Sequence, residues 1–181
     1  IVVDRFVLAK KFSFLPSSKH IKAQFPHLQK FIITLDLKES GAQELSYDIK
    51  DNKLQIFITP KTGSINRDQI QTAQSEFRYD LIITLDTPDL ASLGALTEMN
   101  TSLFYALPIL NIDYKANNER FGQINVVSLT STSTSEIVAE LLRKISETDI
   151  DQDIATALLT GMIANTNSFK TKDIKPSTLA L

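Results

Sequence analysis

The most informative stretch of this sequence reads NIDYKANNERFGQIN and runs from Asn111 to Asn125. It overlaps an apolar run, PILNID, that ends at Asp113, and a similar run, DLIITLD, ends at Asp86. Nearly continuous apolar runs of this kind are typical of strands that helices cover on both faces, and such strands are usually parallel. The two runs therefore predict central, parallel strands of an α/β protein.

An aspartate ends each of these two predicted strands, Asp86 the first and Asp113 the second. An isolated aspartate at such a place is usually a turn former or a helix cap. In an open parallel sheet, however, ligands bind beyond the carboxyl ends of the strands, where these two side chains would meet. Neighbouring carboxylates repel each other unless a cation or a proton lies between them. The pair therefore predicts a metal ion or an opposing lysine in this crevice.

Strand and helix signals alternate along the chain and indicate an open, mainly parallel α/β sheet flanked by helices. The predicted helices span Asp68 to Phe77, a segment after Thr87-Pro88, Ser133 to about Ile145, and Ile154 to about Ala164. Ser133 and Glu136 form a capping box for the third helix. Asp151 is the predicted cap of the fourth, in which Gly161 allows close packing on the sheet.

A hairpin is predicted in the first half of the chain. The run ELSYDI, which starts at Glu44, alternates polar and apolar residues, and a short DN turn joins it to LQIFITP, which ends at Pro60. Too few residues separate the two runs for a parallel connection, so they should pair antiparallel. Together with the preceding strand signal FIITLDL, we expect an added hairpin insertion over residues 31–60, whose outer edge is a candidate association surface.

Composition excludes several classes of protein. The chain has 181 residues, of which 43% are hydrophobic and 22% charged, so it can form one sizeable core. A formal net charge of -2 gives no broad basic surface for nucleic acid. No apolar run reaches the roughly 18 to 20 residues of a membrane span, so we expect no membrane partner and a cytoplasmic location. The absence of cysteine excludes disulfides and thiolate metal sites.

The stretch from Asn111 resembles the signature segment of the DHH phosphoesterases, a family with a DDH domain that includes RecJ-like and nanoRNase-like members. In that family a buried strand ends in Asp-His-His, and Asn, Phe or Tyr, Gly and Asn follow at fixed offsets. Asp113 stands at the Asp position here, but Tyr114 and Lys115 stand where the two histidines are expected. The later positions match, and they are Asn118, Phe121, Gly122 and Asn125.

Two further segments resemble the same family. DLIITLDTPDLASLG places Asp86 at a bridging metal ligand, and GMIANTNSF places Asn165 where the family has a metal-binding Asp. The family's earlier motif of one His and two Asp has no match before Asp36, and VVDRFVLAKKFSFLP, which starts at Val2, resembles the second strand of the family. The resemblance implies a single DHH-type domain over residues 1–181, which we expect to be a fragment without its first strand-helix unit and any C-terminal domain.

The resemblance implies a two-metal hydrolase design, usually with manganese, that cleaves phosphodiester or phosphoanhydride bonds. Only Asp86 and Asp113 remain of the matched ligands in this chain. A protonated lysine has no lone pair and repels a divalent ion, so Lys115 opposes metal binding. Two roles stay open for Lys115, an internal cation that neutralises the aspartates or a phosphate-binding contact. We expect Tyr114 to pack its ring rather than to act as an acid or a base.

These substitutions favour a DHH-type phosphoesterase-like domain that is catalytically degenerate, a pseudoenzyme that serves as a binding or scaffolding module. No residue is expected to be catalytic, and a nucleotide or short oligonucleotide is the candidate ligand. The alternative is an active phosphoesterase, with Mn or Mg, that acts on short oligonucleotides or related phosphate compounds and takes its remaining ligands from upstream of this chain. A third hypothesis is a purely structural domain that associates through the hairpin edge.

Overall fold

The computed structural model describes residues 1–146 and 148–181. The chain divides into two compact units. One consists of Ile1–Pro26 together with Tyr79–Leu181, and the other of His27–Arg78. No helix within the described residues is both long and apolar enough to cross a membrane. The two aspartates that end the predicted strands both belong to the first unit, so the candidate site can be described within that unit alone.

The unit His27–Arg78 consists of two antiparallel strand pairs. Its strands are β1 (Phe31–Leu35), β2 (Glu44–Lys50), β3 (Lys53–Thr59) and β4 (Ile70–Gln74). β2 and β3 form the predicted hairpin, with Lys50 opposite Lys53 across a two-residue turn. The turn residues Asp51 and Asn52 have positive φ angles of 51° and 58°, as a tight hairpin turn of this twist requires. The antiparallel pairing predicted from the short connection is confirmed.

The helix predicted from Asp68 to Phe77 is wrong. Residues 70–74 instead form β4, which pairs antiparallel with β1. Asn66 and Gln69 make a reciprocal capping box, but it starts only a single 3₁₀ turn. Three apolar positions at helical spacing were too weak a signal to outweigh pairing with a neighbouring strand, since strand formation depends on tertiary context more than on local preference.

The other unit contains a parallel sheet and the α-helices. Its strands are β5 (Ile82–Leu85), β6 (Ile109–Asp113) and β7 (Ile124–Val127), in that spatial order. Its helices are α1 (Ala95–Met99), α2 (Thr101–Ala106), α3 (Thr134–Ile145), α4 (Gln152–Asn165) and α5 (Pro176–Leu179). The predicted α/β class is confirmed, with a parallel sheet, helices and an added antiparallel hairpin. The two apolar runs are adjacent parallel strands, as their composition predicts.

Of the two strands predicted to be central, only β6 is. Ile109 and Ile112, on opposite faces of β6, are each 3% exposed. On β5, by contrast, Ile83 and Leu85 are 54% and 51% exposed while Thr84 between them is buried. The prediction of a covered central strand is therefore wrong for β5, because an edge strand that is covered on one face leaves every second side chain exposed.

The predicted caps of the two long helices are present. The Oγ atom of Ser133 accepts a hydrogen bond from the backbone N–H of Glu136 at 3.2 Å and caps α3. The capping box is incomplete, because the Glu136 carboxylate accepts hydrogen bonds from the backbone N–H and the hydroxyl of Thr132, at 2.6 and 2.7 Å. Asp151 caps α4 by accepting a hydrogen bond of 2.8 Å from the backbone N–H of Ile154.

Two packing expectations need correction. Gly161 does permit a close approach, but α4 packs against α3, where a Cβ on Gly161 would collide with Ser135, rather than on the sheet. The segment that starts at Val2 does not form the predicted strand, and only Val2 makes a β-bridge, to Lys22. Alternate residues there are partly buried, as on a strand, but a ladder needs a partner strand beside it.

Candidate functional site

The candidate site lies at the carboxyl ends of β5 and β6. The backbone N–H of Asp86 donates a hydrogen bond of 3.1 Å to the carbonyl of Ile112, the residue before Asp113, so the ends of the two strands lie side by side. Asp86 has a φ angle of 57°, which is uncommon for a residue with a side chain and marks a sharp change of direction after β5. Its side chain is 57% exposed, whereas Asp113 is fully buried.

Asp113 is held by its own loop. Its Oδ1 atom accepts hydrogen bonds from the backbone N–H groups of Tyr114 and Lys115, at 2.7 and 3.3 Å. Its Oδ2 atom accepts a hydrogen bond of 2.8 Å from the side-chain amide of Asn118. A buried carboxylate requires such donors, and here both oxygens have them from within the chain. This carboxylate therefore organises the turn that follows β6.

Lys115 forms an ion pair with Asp86. Its Nζ atom lies 3.0 Å from Oδ1 of Asp86 and donates a second hydrogen bond of 3.0 Å to the backbone carbonyl of the same residue. The hydroxyl of Thr134, the first residue of α3, also donates to Oδ1 at 3.4 Å. Burial lowers the pKa of Lys115, but the hydrogen bond and the charge of Asp86, with that of Asp113, outweigh burial and raise it. The ammonium is therefore the stable form at this site.

Tyr114 and Asn165 also meet at this edge of the sheet. The half-buried Tyr114 donates a hydrogen bond of 3.2 Å from its hydroxyl to Oδ1 of Asn165, at the end of α4. The amide nitrogen of Asn165 donates at 2.6 Å to the carbonyl of Thr132, just before α3. The structure thus places all five predicted positions, Asp86, Asp113, Tyr114, Lys115 and Asn165, around the ends of β5 and β6.

A buried asparagine network supports the site, and the sequence reasoning missed its centre. Asn111, in the middle of β6, is fully buried. Its amide nitrogen donates to Oδ1 of Asn118 at 2.8 Å and to Oδ1 of Asn125 at 3.4 Å, and its oxygen accepts from Thr84 at 3.3 Å. The signal in the sequence was a polar residue inside an otherwise apolar run, since a buried amide needs partners.

Gly122 fits this network because it lacks a side chain. A Cβ there would lie 2.7 Å from the carbonyl oxygen of Ile109 and 2.9 Å from that of Ile124. Its backbone N–H donates to Oδ1 of Asn125 at 3.1 Å, and its carbonyl accepts from the amide of the same residue at 2.6 Å. Asn118, Gly122 and Asn125, which match the family motif after Asp113, therefore hold together the segment between β6 and β7.

The residues present do not fit a pair of divalent cations. Within the described residues, no three His, Cys, Asp or Glu side chains are grouped closely enough to hold a metal ion. Asp113 has its oxygens occupied by internal donors, and Asp86 is paired with the Lys115 ammonium. A two-metal site needs several carboxylates and imidazoles around each ion, and an ammonium among them repels the ions.

The chain is similar to known proteins both in sequence and in structure. No family model matches the chain. Over 96 residues it is 30% identical to the bifunctional oligoribonuclease and PAP phosphatase NrnA of Thermus thermophilus, a region that is 51% of this chain and 29% of that protein. An exopolyphosphatase-related protein from Bacteroides fragilis is similar in structure over 57% of this chain and 32% of its own, with a TM-score of 0.49 and 24% identity.

The matched region of this chain thus spans less than a third of the length of the Thermus thermophilus protein. The matched region is about half of this chain, and it resembles part of a protein that is named as an oligoribonuclease and PAP phosphatase.

Proposed function

We propose that this chain carries a DHH-type phosphoesterase-like domain that is catalytically degenerate and acts as a binding or scaffolding module. The observation that carries the proposal is the distance of 3.0 Å between Nζ of Lys115 and Oδ1 of Asp86. In this proposal Asp86 and Asp113 are remnants of metal ligands, and Lys115 supplies in one side chain the positive charge that a metal ion would otherwise provide.

Each substituted position has gained an internal partner that keeps the site folded without a metal. Lys115 neutralises Asp86, and Tyr114 and Asn165 bond to each other through hydroxyl and amide. Carboxylates at neighbouring strand ends would otherwise repel each other, and the ammonium removes that repulsion. This set of partners supports a scaffold that is stable by itself, with the DHH-type domain spanning residues 1–181 and residues 31–60 as its hairpin insertion.

The same edge of the sheet supports binding of a nucleotide or a short oligonucleotide. The side chain of Lys115 is 33% exposed, so a phosphate oxygen can reach its ammonium from solvent. Lysine binds phosphate as a point charge, and the hydroxyl of Thr134 lies on the same carboxylate of Asp86. The Thermus thermophilus relative is named for action on oligoribonucleotides and PAP, which are ligands of this chemistry.

The test combines manganese titration by calorimetry with hydrolysis of a short oligoribonucleotide, both measured on this protein. We expect no manganese-dependent cleavage above background, and binding of the oligonucleotide that weakens in Lys115→Met. Manganese-dependent cleavage that Asp113→Ala or Asp86→Asn abolishes would instead establish an active phosphoesterase. Asp86→Asn is the more informative variant, because its side chain is exposed and the change preserves the shape of the residue.

A further inference from the structure

The hairpin of β2 and β3 carries an apolar face that is open to solvent. Leu45, Tyr47 and Ile49 alternate along β2 and are 68%, 72% and 69% exposed. Their cross-strand partners on β3 are also apolar, and they are Ile58, Ile56 and Leu54. Successive side chains of a strand point to opposite faces, so these six residues share one face of the hairpin.

The outer edge of β2 is unpaired. Within the described residues β2 pairs only with β3, and the sheet that they form has two strands. In a hairpin closed by a two-residue turn, the residues that flank the turn form a hydrogen-bonded pair, here Lys50 and Lys53. Alternate residues then bond inward, so the backbone groups of Leu45, Tyr47 and Ile49 point outward. The residues whose apolar side chains are exposed on β2 therefore also carry the free backbone N–H and C=O groups of its outer edge.

This edge lacks the usual protection against pairing. The register from Glu44 to Lys50 is continuous, without a bulge, and the strand contains no proline. Its charged side chains, Glu44, Asp48 and Lys50, lie on the face opposite to the apolar residues. A two-stranded hairpin with both faces in water is marginally stable at best, and three or more strands are needed for independent stability. The hairpin therefore benefits from an additional strand.

We propose that a second copy of this chain supplies that strand, by antiparallel pairing of β2 with β2 about a two-fold axis at Tyr47. This register places Glu44 of each copy opposite Lys50 of the other, and Leu45 opposite Ile49. The sequence of β2 is thus complementary to itself in charge and in apolar side chains, as an isologous contact requires. The outer edge of β3 is not complementary to itself, since antiparallel pairing of β3 with β3 about Ile56 would set Lys53 opposite Thr59. The proposal is independent of the proposed function, because it uses only the hairpin.

The test measures the mass of the full chain in solution by sedimentation equilibrium over a wide range of protein concentration. We expect a dimer that Glu44→Lys weakens at least about tenfold, because two opposite-charge cross-strand pairs become like-charge pairs. Lys50→Glu should weaken it similarly, and the double change Glu44→Lys with Lys50→Glu should restore it. Lys30→Glu, an exposed lysine outside the hairpin, is the matched control and should leave the dimer unchanged.

Tyr47→Lys adds a second, stronger perturbation, since it places two ammonium groups together on the axis. Far-UV circular dichroism of each variant verifies that the fold is retained. A monomer at every concentration overturns the proposal. A dimer that survives Glu44→Lys and Tyr47→Lys also overturns it, because association then uses another surface. Restoration of the dimer by the charge swap supports this register specifically. Each single variant places like charges opposite each other, and only a register that pairs residue 44 with residue 50 of the other copy makes the double variant complementary again.

Discussion

The ammonium of Lys115 lies 3.0 Å from the carboxylate of Asp86 and so joins the turn after β6 to the end of β5. Asp86 follows β5 and Lys115 lies in the turn after β6, and α1 and α2 link these two neighbouring parallel strands. Because Asp86 is more than half exposed, water screens the pair, and its direct contribution to stability is expected to be at most about 1 kcal/mol. Its consequence is chemical, since it fixes a positive charge at this edge of the sheet.

Restoring the ligand types should restore affinity for a metal. The combined change Tyr114→His, Lys115→His and Asn165→Asp replaces an ammonium, a phenol and an amide with metal-ligating groups beside Asp86. We expect manganese affinity to rise at least about tenfold in calorimetry at neutral pH. Hydrolysis of a short oligoribonucleotide should stay near background, because the residues of a two-metal site are still incomplete.

The matched controls are Lys115→His alone, which should not bind manganese, and the combined variant with Asp86→Asn, which should lose the regained affinity. If the combined variant binds no better than the unmodified chain, these positions do not form a common site.

Asn111→Ala should strongly destabilise the protein. The change removes the centre of the buried network and leaves the side-chain oxygens of Asn118 and Asn125 with fewer donors. Each lost hydrogen bond costs about 0.5 to 1.5 kcal/mol and the cavity left by the fully buried side chain adds to this, so we expect a decrease of about 2 to 4 kcal/mol in the free energy of unfolding. Urea denaturation measures this loss. Asn117→Ala, an exposed asparagine in the same turn, is the control and should change stability by less than about 0.5 kcal/mol.

Local patterns predicted the strands that carry the site but not the surroundings of those strands. The apolar runs before Asp86 and Asp113 identified two adjacent parallel strands, because burial requires apolar residues whatever the neighbours are. The edge position of β5 was not predictable in this way, since an apolar run does not record which of its faces is covered. Charge alone indicated that Lys115 could neutralise one of the two aspartates, but it did not identify Asp86 as the partner. The contact of Tyr114 with Asn165 could not be predicted from the sequence, because it depends on where α4 ends in space.

Acid should destabilise the protein partly through Glu136. Burial raises the pKa of this carboxyl, but hydrogen bonds from the backbone and hydroxyl of Thr132 and from the hydroxyl of Thr178, with the charge of Lys175, outweigh burial and lower it. A lowered pKa in the folded state stabilises the protein above the pKa of the unfolded chain, about 4.3 for glutamate. That stabilisation is lost as the pH falls from there through the lower pKa of the folded state.

The measurement is the free energy of unfolding as a function of pH, for the unmodified chain and for Glu136→Gln. The variant should be less stable at neutral pH and should lose less stability on acidification below about pH 4.3, because glutamine does not titrate. Thr178→Val, which removes one donor and keeps the shape, should give an intermediate effect. Parallel pH curves for the unmodified chain and Glu136→Gln would show that other carboxyls govern the acid sensitivity.

Gly161→Ala provides a test of the packing between α3 and α4. Within an isolated helix this change should stabilise by about 1 kcal/mol, because alanine is the better helix former. In this protein the new Cβ would collide with the side chain of Ser135, so we expect a net loss of about 1 to 3 kcal/mol instead. Adding Ser135→Gly removes both the Oγ and the Cβ that the new methyl group would meet.

The double variant should therefore be more stable than Ser135→Gly alone. Gly161→Ala would thus destabilise the unmodified chain but stabilise the Ser135→Gly variant. Thermal or urea unfolding of the four proteins forms a double-mutant cycle, and the coupling between the two sites should be about 2 kcal/mol or more. Independent, additive effects would mean that α3 and α4 do not approach each other at these residues. Coupling of the expected sign would establish the contact that places the end of α4, and with it Asn165, beside Tyr114.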